Sequence, residues 1–333
     1  MTVRFALLGA GRIGKVHGAA LAATEGARLV AVADPVSEAA EAIAERYRAE
    51  VRTIDAIEAA GDVDAVIIAT PTDTHAELIE RFARAGKAIF CEKPIDLSVA
   101  RVRACLAVVE ETGARLMIGF NRRFDPSFVA LKAQIDAGRI GRVEMATITS
   151  RDPSPPPVAY IRSSGGLFRD MTIHDFDMAR HLMGEEIVAV TARAAALVDP
   201  AIGEAGDYDS ASLVLETASG RQAIVSNSRR STYGYDQRIE VLGSSGLVAA
   251  ENQRPVAIEL ADASGFTRPP LYDFFMTRYT QAYANEIAAF VAALRDGGPI
   301  RPGGGDGLAA LLLAEAALVS VREARTVKVS EVG

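Results

Sequence analysis

The sequence predicts a doubly wound parallel α/β architecture over residues 1–120. An α+β region follows over 121–333, with a largely antiparallel open sheet covered by helices. Three observations lead there. Short apolar strands alternate with helical stretches as far as Phe120, the rhythm of a parallel sheet covered on both faces. A glycine-rich turn, Gly9-Ala-Gly-Arg-Ile-Gly14, joins the first strand to the first helix. Beyond Asn121, extended runs succeed one another with turn signals at Ser219-Gly220 and Ser244-Ser-Gly246, as in antiparallel sheets.

Taken in order, Val3–Gly9 is a strand, with a helix through Leu21, and Arg28–Asp34 is the next strand. Ser37–Ala49 is a helix, Val51–Ile54 a short strand and Val63–Ala69 a fully apolar one. Thr70–His75 is a turn leading to a helix that ends at Ala85. Lys87–Cys91 is a strand running into Glu92-Lys-Pro94, Val99–Glu111 a helix and Arg115–Phe120 a strand. Then come a helix near Phe128–Ala137, a strand over Val143–Ser150 and a Pro-rich loop over Asp152–Pro157. Extended runs follow at Ile187–Leu197, Ala211–Glu216, Gln222–Ser228, Gln237–Leu242 and Gly246–Ala250. Tyr283, Ile287, Phe290, Val291 and Leu294 mark one late amphipathic helix, and Gly307–Val321 another.

The glycine spacing is that of a Rossmann dinucleotide site. Gly9 permits the tight turn, Gly11 lets the backbone approach a pyrophosphate, and Gly14 lets helix and strand pack closely. Arg12 and Ile13 fill the turn, and the helix N-terminus offers N–H groups to phosphate. Asp34 ends the second strand 20 positions after Gly14, placed to hold a ribose diol and to repel a 2′-phosphate. NAD is therefore expected in preference to NADP. Ligands bind beyond the C-terminal strand ends of such sheets. Thr70, Pro71, His75, Glu92 and Lys93 lie at such ends and are candidate cofactor contacts, although Thr70, Pro71 and His75 also suit plain turn and cap roles. Lys93 is either a surface lysine or a cation that stabilises a developing alkoxide; a cis Pro94 would aim it. His17, inside the first helix, suits a structural role.

The chain has 333 residues, 49% hydrophobic and 24% charged, ordinary globular material for two domains. A net charge of −7 without a basic run makes nucleic acid and anionic membrane poor partners. Cys91 and Cys105 form no CxxC pair, which fits a reducing compartment. With no signal-peptide pattern and no uninterrupted apolar span, the expectation is a cytoplasmic protein.

Gly165–His181 is the stretch that carries chemistry. On a continuous helix Asp170, His174, Asp177 and His181 share one face at i, i+4, i+7 and i+11, and two of the chain's four histidines are among them. Three readings compete: a solvated or internally paired surface, a metal site on His174 and His181, and an acid–base pair in which Asp170 orients His174. The metal reading lacks a recognised ligand spacing, so no metal is expected.

Gly9–Gly14, Ala69-Thr-Pro-Thr-Asp-Thr-His75, Cys91-Glu-Lys-Pro94 and Asp170-x-x-x-His174-Asp175 together resemble the Gfo/Idh/MocA oxidoreductase family over essentially the whole chain. Within it, Gly119–Asp125, Arg151-Asp-Pro153 and Tyr233-Gly-Tyr-Asp236 are similar to inositol dehydrogenases. The resemblance implies a catalytic set of Lys93, Asp170 and His174. It also implies substrate contacts from Arg122, Asp152, Asp177 and one of Tyr233 and Tyr235, and a homo-oligomer, often a tetramer, assembled through the C-terminal sheet. Asp152 stands where such enzymes carry an Asn, and Met171 where they carry a Thr. The implied activity is NAD-dependent oxidation of a cyclic polyol, myo-inositol first. Another inositol isomer or an aldose is the rival within the class, and a non-catalytic NAD-binding sensor the rival outside it.

Overall fold

The structure is a computed structural model and describes residues 2–333. Its regular elements begin with β1 (Val3–Leu8), α1 (Arg12–Ala23), β2 (Ala27–Ala33), α2 (Ser37–Tyr47), β3 (Glu50–Val51), α3 (Ile54–Ala59), β4 (Ala65–Ile68), α4 (His75–Arg84), β5 (Ala88–Glu92), α5 (Val99–Thr112) and β6 (Leu116–Gly119). There follow α6 (Pro126–Asp136), β7 (Val143–Arg151), α7 (Val158–Ser164), α8 (Ile173–Met183), β8 (Ile187–Ala195), α9 (Pro200–Glu204), β9 (Ser210–Thr217) and β10 (Gln222–Ser228). The remainder is β11 (Asp236–Gly243), β12 (Gly246–Ala250), β13 (Leu260–Asp262), β14 (Gly265–Thr267), α10 (Phe275–Arg278), α11 (Thr280–Asp296), α12 (Gly304–Glu323) and β15 (Val327–Lys328).

The chain divides into two compact units. The first comprises Met1–Asp125 with Thr280–Leu311, and the second Pro126–Tyr279 with Leu312–Gly333. A single boundary after residue 120, as the sequence suggests, misses the return of α11. The reason is long-range burial. Ile287, Phe290 and Val291 of α11 belong to the same core as Phe5, Leu7, Val32, Ile67 and Phe90. The Phe290 ring lies 6.1 Å from that of Phe5 and 6.0 Å from that of Phe90. Burying each such side chain stabilises by about 1.5–3 kcal/mol, enough to tie a helix to a sheet far from it in sequence.

In the first unit the strands pair in parallel in the order β3-β2-β1-β4-β5-β6. The order reverses between β1 and β4, where such sheets open a crevice for ligands. Every residue of β4 is buried, which accounts for its unbroken apolar sequence.

The second unit carries a sheet in the order β12-β11-β7-β10-β9-β8-β15. It is antiparallel except where β10 runs parallel to β7. Its strands alternate, so that Ala211, Leu213, Leu215, Ala223 and Val225 point inward. Helix α8 buries Ile173, Phe176, Met178, Leu182 and Met183 and packs on β7. Strands β13 and β14 form a small separate hairpin, which the sequence pattern does not signal. Helix α12 is long and apolar enough to span a membrane by length and composition, although the sequence had suggested no such segment. Leu313, Ala314, Ala316 and Ala317 of that helix are nonetheless buried within the fold.

Candidate active site

In the first unit the glycines do what their spacing implies. Gly9 adopts φ +96°, and a Cβ there would sit 2.5 Å from the Ala69 carbonyl oxygen. A Cβ on Gly14 would come within 2.0 Å of the Gly9 carbonyl oxygen, whereas one on Gly11 would meet nothing within 4 Å. The turn is thus packed tightly on two sides and open on the third. Helix α1 has Gly11 at its N-cap, without a side-chain cap and without an acidic residue in its first turn, so its N–H groups suit an anion. Arg12 is exposed there and Ile13 half-buried. Asp34 lies just past β2, and its Oδ2 accepts the Ala10 N–H at 2.6 Å while Oδ1 accepts that of Val36 at 2.8 Å. A carboxylate has about four acceptor positions, so capacity remains for a diol. The residues present fit a dinucleotide.

The strand ends beside this turn are firmly held. Buried His75 places Nδ1 2.8 Å from the Pro94 carbonyl oxygen and Nε2 2.8 Å from that of Thr70. It joins the Thr70–Pro71 turn to the segment after Lys93. The Lys93–Pro94 peptide is cis. The Glu92 side chain is turned inward, and its Oε1 accepts from His17 Nε2 at 2.6 Å. Glu286 of α11 lies against this pair, and the ligand-type atoms of the three residues fall within 4.8 Å of one another. Burial first, and the charge of Glu92 second, push the Glu286 carboxyl well above its usual range. Arg122 is buried in the turn after β6, Asn121–Phe124.

In the second unit the predicted continuous helix is interrupted. Leu167–Met171 forms a separate π-helical turn, and α8 starts only at Ile173. The Thr172 N–H bonds back to the Leu167 carbonyl at 2.9 Å, a five-residue step. Asp170 therefore belongs to the π turn while His174, Asp177 and His181 lie on α8, and the i, i+4 spacing across that junction is not helical. π turns of this kind are frequent at functional sites. Asp170 Oδ1 accepts from the Tyr160 hydroxyl at 3.1 Å, and its Oδ2 lies 3.6 Å from Arg229 Nη2. Arg229 Nη1 is 4.0 Å from Asp152 Oδ2. The structure thus gathers Asp152, Asp170 and Tyr160 around an arginine only 2% exposed. Neither Arg229 nor Tyr160 was anticipated; Arg229 follows a strand, and nothing in its sequence neighbourhood marks it.

Below His174 the next residue is pinned to the sheet. Asp175 accepts the Ser150 hydroxyl at 2.5 Å and the Asn227 amide at 2.8 Å, and Thr172 donates to Asn227 Oδ1 at 2.7 Å. Asp177 is buried, with Arg180 Nη1 3.9 Å away. Of the tyrosine pair, Tyr233 is half exposed; its hydroxyl donates to Asp236 at 2.6 Å and accepts from Arg151 at 3.0 Å. Tyr235 is buried edge-on against Tyr279, 5.9 Å between centroids. Gly166, at φ +80°, faces Asp207, whose carboxylate accepts the Leu167 N–H at 3.0 Å and is held above its usual range by burial.

A glycine-rich strand-to-helix turn, a strand-end aspartate and an Asp170/His174 junction over a mixed sheet are thus all present in one chain. The description "oxidoreductase family, NAD-binding Rossmann fold" matches residues 3–120, and the GFO/IDH/MocA C-terminal domain matches 128–249. The chain belongs to the GFO/IDH/MocA oxidoreductase family. Like the Rossmann domain of that family, its first unit is NAD-binding. It is 72% identical to an inositol 2-dehydrogenase of Rhizobium meliloti (strain 1021), over 99% of this chain and 100% of that one. Among solved GFO/IDH/MocA-like structures, a myo-inositol dehydrogenase from Corynebacterium glutamicum superposes with a TM-score of 0.95 at 45% identity, covering 98% of this chain and 99% of that one. A scyllo-inositol dehydrogenase from Lactobacillus casei, solved with NAD(H) and scyllo-inositol, gives 0.91 at 28% identity, covering 99% and 100%.

Proposed function

We propose that this protein is an NAD-dependent dehydrogenase that oxidises a ring hydroxyl of a cyclic polyol, with myo-inositol going to 2-keto-myo-inositol. The observation that carries this reading is 72% identity to an inositol 2-dehydrogenase along the entire length of both chains. Bound NAD supplies the acceptor for the hydride that leaves the carbinol carbon. The loop residues Gly9, Gly11, Arg12, Ile13 and Gly14 hold its pyrophosphate, and Asp34 holds the adenosine ribose. Thr70, Pro71, His75, Glu92 and Lys93 border the cofactor, with His75 and Glu92 acting through the backbone they fix.

His174 takes the hydroxyl proton as the C–O bond becomes C=O. The Lys93 ammonium stabilises the oxygen. Asp170, held by Tyr160 and Arg229, orients His174 or a neighbouring hydroxyl. Arg122, Asp152, Asp177 and Tyr233 or Tyr235 read the remaining hydroxyls. Within the second unit the charged and hydroxyl-bearing side chains of Asp152, Tyr160, Asp170 and Arg229 lie close together, which supports a polyhydroxylated substrate, because a site left with unpaired buried polar groups penalises any ligand lacking those hydroxyls. A second reading takes another inositol isomer as substrate, favoured by the Lactobacillus casei relative solved with scyllo-inositol.

A homotetramer in the cytoplasm completes the reading. Met145, Ile224, Leu242 and Leu247 are each 39–51% exposed on the seven-stranded sheet, an apolar patch of the kind that a partner subunit covers. Two buried free thiols support a reducing compartment. Light scattering reports the assembly state. The decisive experiment for the activity is a panel of inositols and aldoses with NAD and NADP, followed by reduced-cofactor absorbance. Turnover confined to aldoses, or none with any polyol, overturns the proposal.

A further inference from the structure

Glu92, which borders the cofactor in the reading above, sits in a buried polar cluster with His17 and Glu286, two residues for which that reading has no use. Glu286 is 0% exposed and neither of its carboxylate oxygens has a hydrogen-bond partner among the described residues; the same is true of His17 Nδ1. The His17 ring stands edge-on to Phe90 at 5.0 Å and to Tyr283 at 5.7 Å, so the walls are aromatic. Two carboxylates this close in such a setting do not both ionise. A divalent metal is the other way to settle them. Two ligand atoms each about 2.0–2.2 Å from a tetrahedral zinc lie roughly 3.3 Å apart. His17 Nε2 and Glu92 Oε1 are only 2.6 Å apart, a hydrogen bond and too close for ligands sharing one metal.

The location gives the cluster a purpose. Glu92 is the last residue of β5 and Lys93 follows it. Opposite Glu92 on β6 is Gly119, where a Cβ would stand 3.2 Å from the Glu92 carboxyl carbon; the missing side chain leaves room for the carboxylate to fold inward. Beyond Lys93 the Pro94 carbonyl is fixed by His75 at 2.8 Å. Lys93 is thus bracketed by two buried histidines, one acting through the Glu92 side chain and the other through the Pro94 backbone.

We propose that the His17–Glu92–Glu286 cluster holds a proton, not a metal ion, and serves as a positioning unit for Lys93. The link to catalysis rests on the role assigned to Lys93 above. The cluster itself is independent of that role. The experiment compares the full-length protein with His17→Gln, Glu92→Gln, their double variant, Gly119→Ala and Glu286→Gln.

In the infrared difference spectrum between Glu286→Gln and the parent, the carbonyl band of a neutral carboxylic acid is lost. His17→Gln and Glu92→Gln each lower kcat roughly 10–100-fold, the cost of a misplaced reacting group, with the dissociation constant for NAD within about twofold. The double variant is no worse than the poorer single one, as expected of residues acting as a unit. Gly119→Ala lowers kcat in the same direction by crowding the Glu92 carboxylate without replacing a titrating group. Labelling of Lys93 by an amine-directed acylating reagent, read by mass spectrometry, changes rate in His17→Gln, Glu92→Gln and Gly119→Ala while labelling of Lys15 does not. Absence of the acid band, stoichiometric divalent metal in the purified protein, or unchanged Lys93 labelling and kcat in Glu92→Gln overturns the proposal. A parent protein inactive on every polyol sinks the proposed reaction instead, and the infrared band, metal content and labelling rates then decide the cluster.

Discussion

Replacing Glu286 with Gln stabilises the protein, and the gain grows with pH. The wild-type carboxyl is fully buried, and desolvation together with the neighbouring Glu92 charge raises its pKa well above the usual carboxylate range. Below that range both folded and unfolded chains carry the proton, and the stability it confers is fully present. As pH rises, the unfolded chain loses the proton while the folded one keeps it, so the folded state binds more protons and stability falls. The loss continues until pH passes the raised folded value. Within that window one proton is worth about 1.4 kcal/mol per pH unit, which is the stability the wild type loses for each unit of pH. Gln does not titrate and is nearly isosteric. Thermal unfolding at several pH values therefore gives Glu286→Gln an advantage that widens by roughly 2 °C or more for each pH unit inside the window. A constant difference across that range, or one that narrows as pH rises, refutes the account of a neutral acid at this position.

The other expectations concern the site. Asp34→Ser shifts the ratio of kcat/KM for NADP over NAD upward by removing the charge that repels a 2′-phosphate; because Asp34 also accepts the Ala10 and Val36 N–H groups, NAD binding weakens as well, and an unchanged ratio refutes the assignment. Gly14→Ala abolishes measurable NAD binding by titration, since its Cβ would fall 2.0 Å from the Gly9 carbonyl oxygen, a backbone atom of the cofactor turn itself. His174→Gln lowers kcat by about 10²–10⁴-fold with the dissociation constant for NAD intact, and near-parental kcat would move the proton to another group. Cys91 and Cys105 resist a thiol reagent in the native protein, because burial pushes Cys91 upward and Cys105 to about 12; rapid labelling of either would contradict this.

Local pattern made the first unit legible. The glycine turn, the apolar strands and Asp34 are set by neighbours in sequence, and the observed strand ends differ from the expected ones by a few residues. What sequence concealed depends on distance or on a local departure from regularity. Helix α11 showed its apolar face plainly, but not that Phe290 would reach Phe5 and Phe90. The face drawn through Asp170 and His174 assumed an unbroken helix, and the π turn at Leu167–Met171 changes that geometry. No local signal distinguishes a buried π turn from a helical one when Gly and Pro are absent. Arg229 and Glu286 look like ordinary surface charges in sequence; only the fold encloses them. Lys93 and His174 are legible because family motifs surround them.

The tie between Asp175 and the strands β7 and β10 has a practical meaning for altering specificity. Ser150, Asn227 and Thr172 hold the residue beside His174 through short hydrogen bonds in a buried setting, where losing one partner strands a polar group at a cost of about 1–3 kcal/mol. Changes there spend stability and shift the histidine together. Asp152, Tyr160 and Tyr233 instead stand outside that network, in a loop, a short helix and a turn, and Tyr233 is half exposed. A library aimed at a different polyol should vary Asp152 and Tyr233 and leave untouched both the floor beneath His174 and the Tyr160 that holds Asp170.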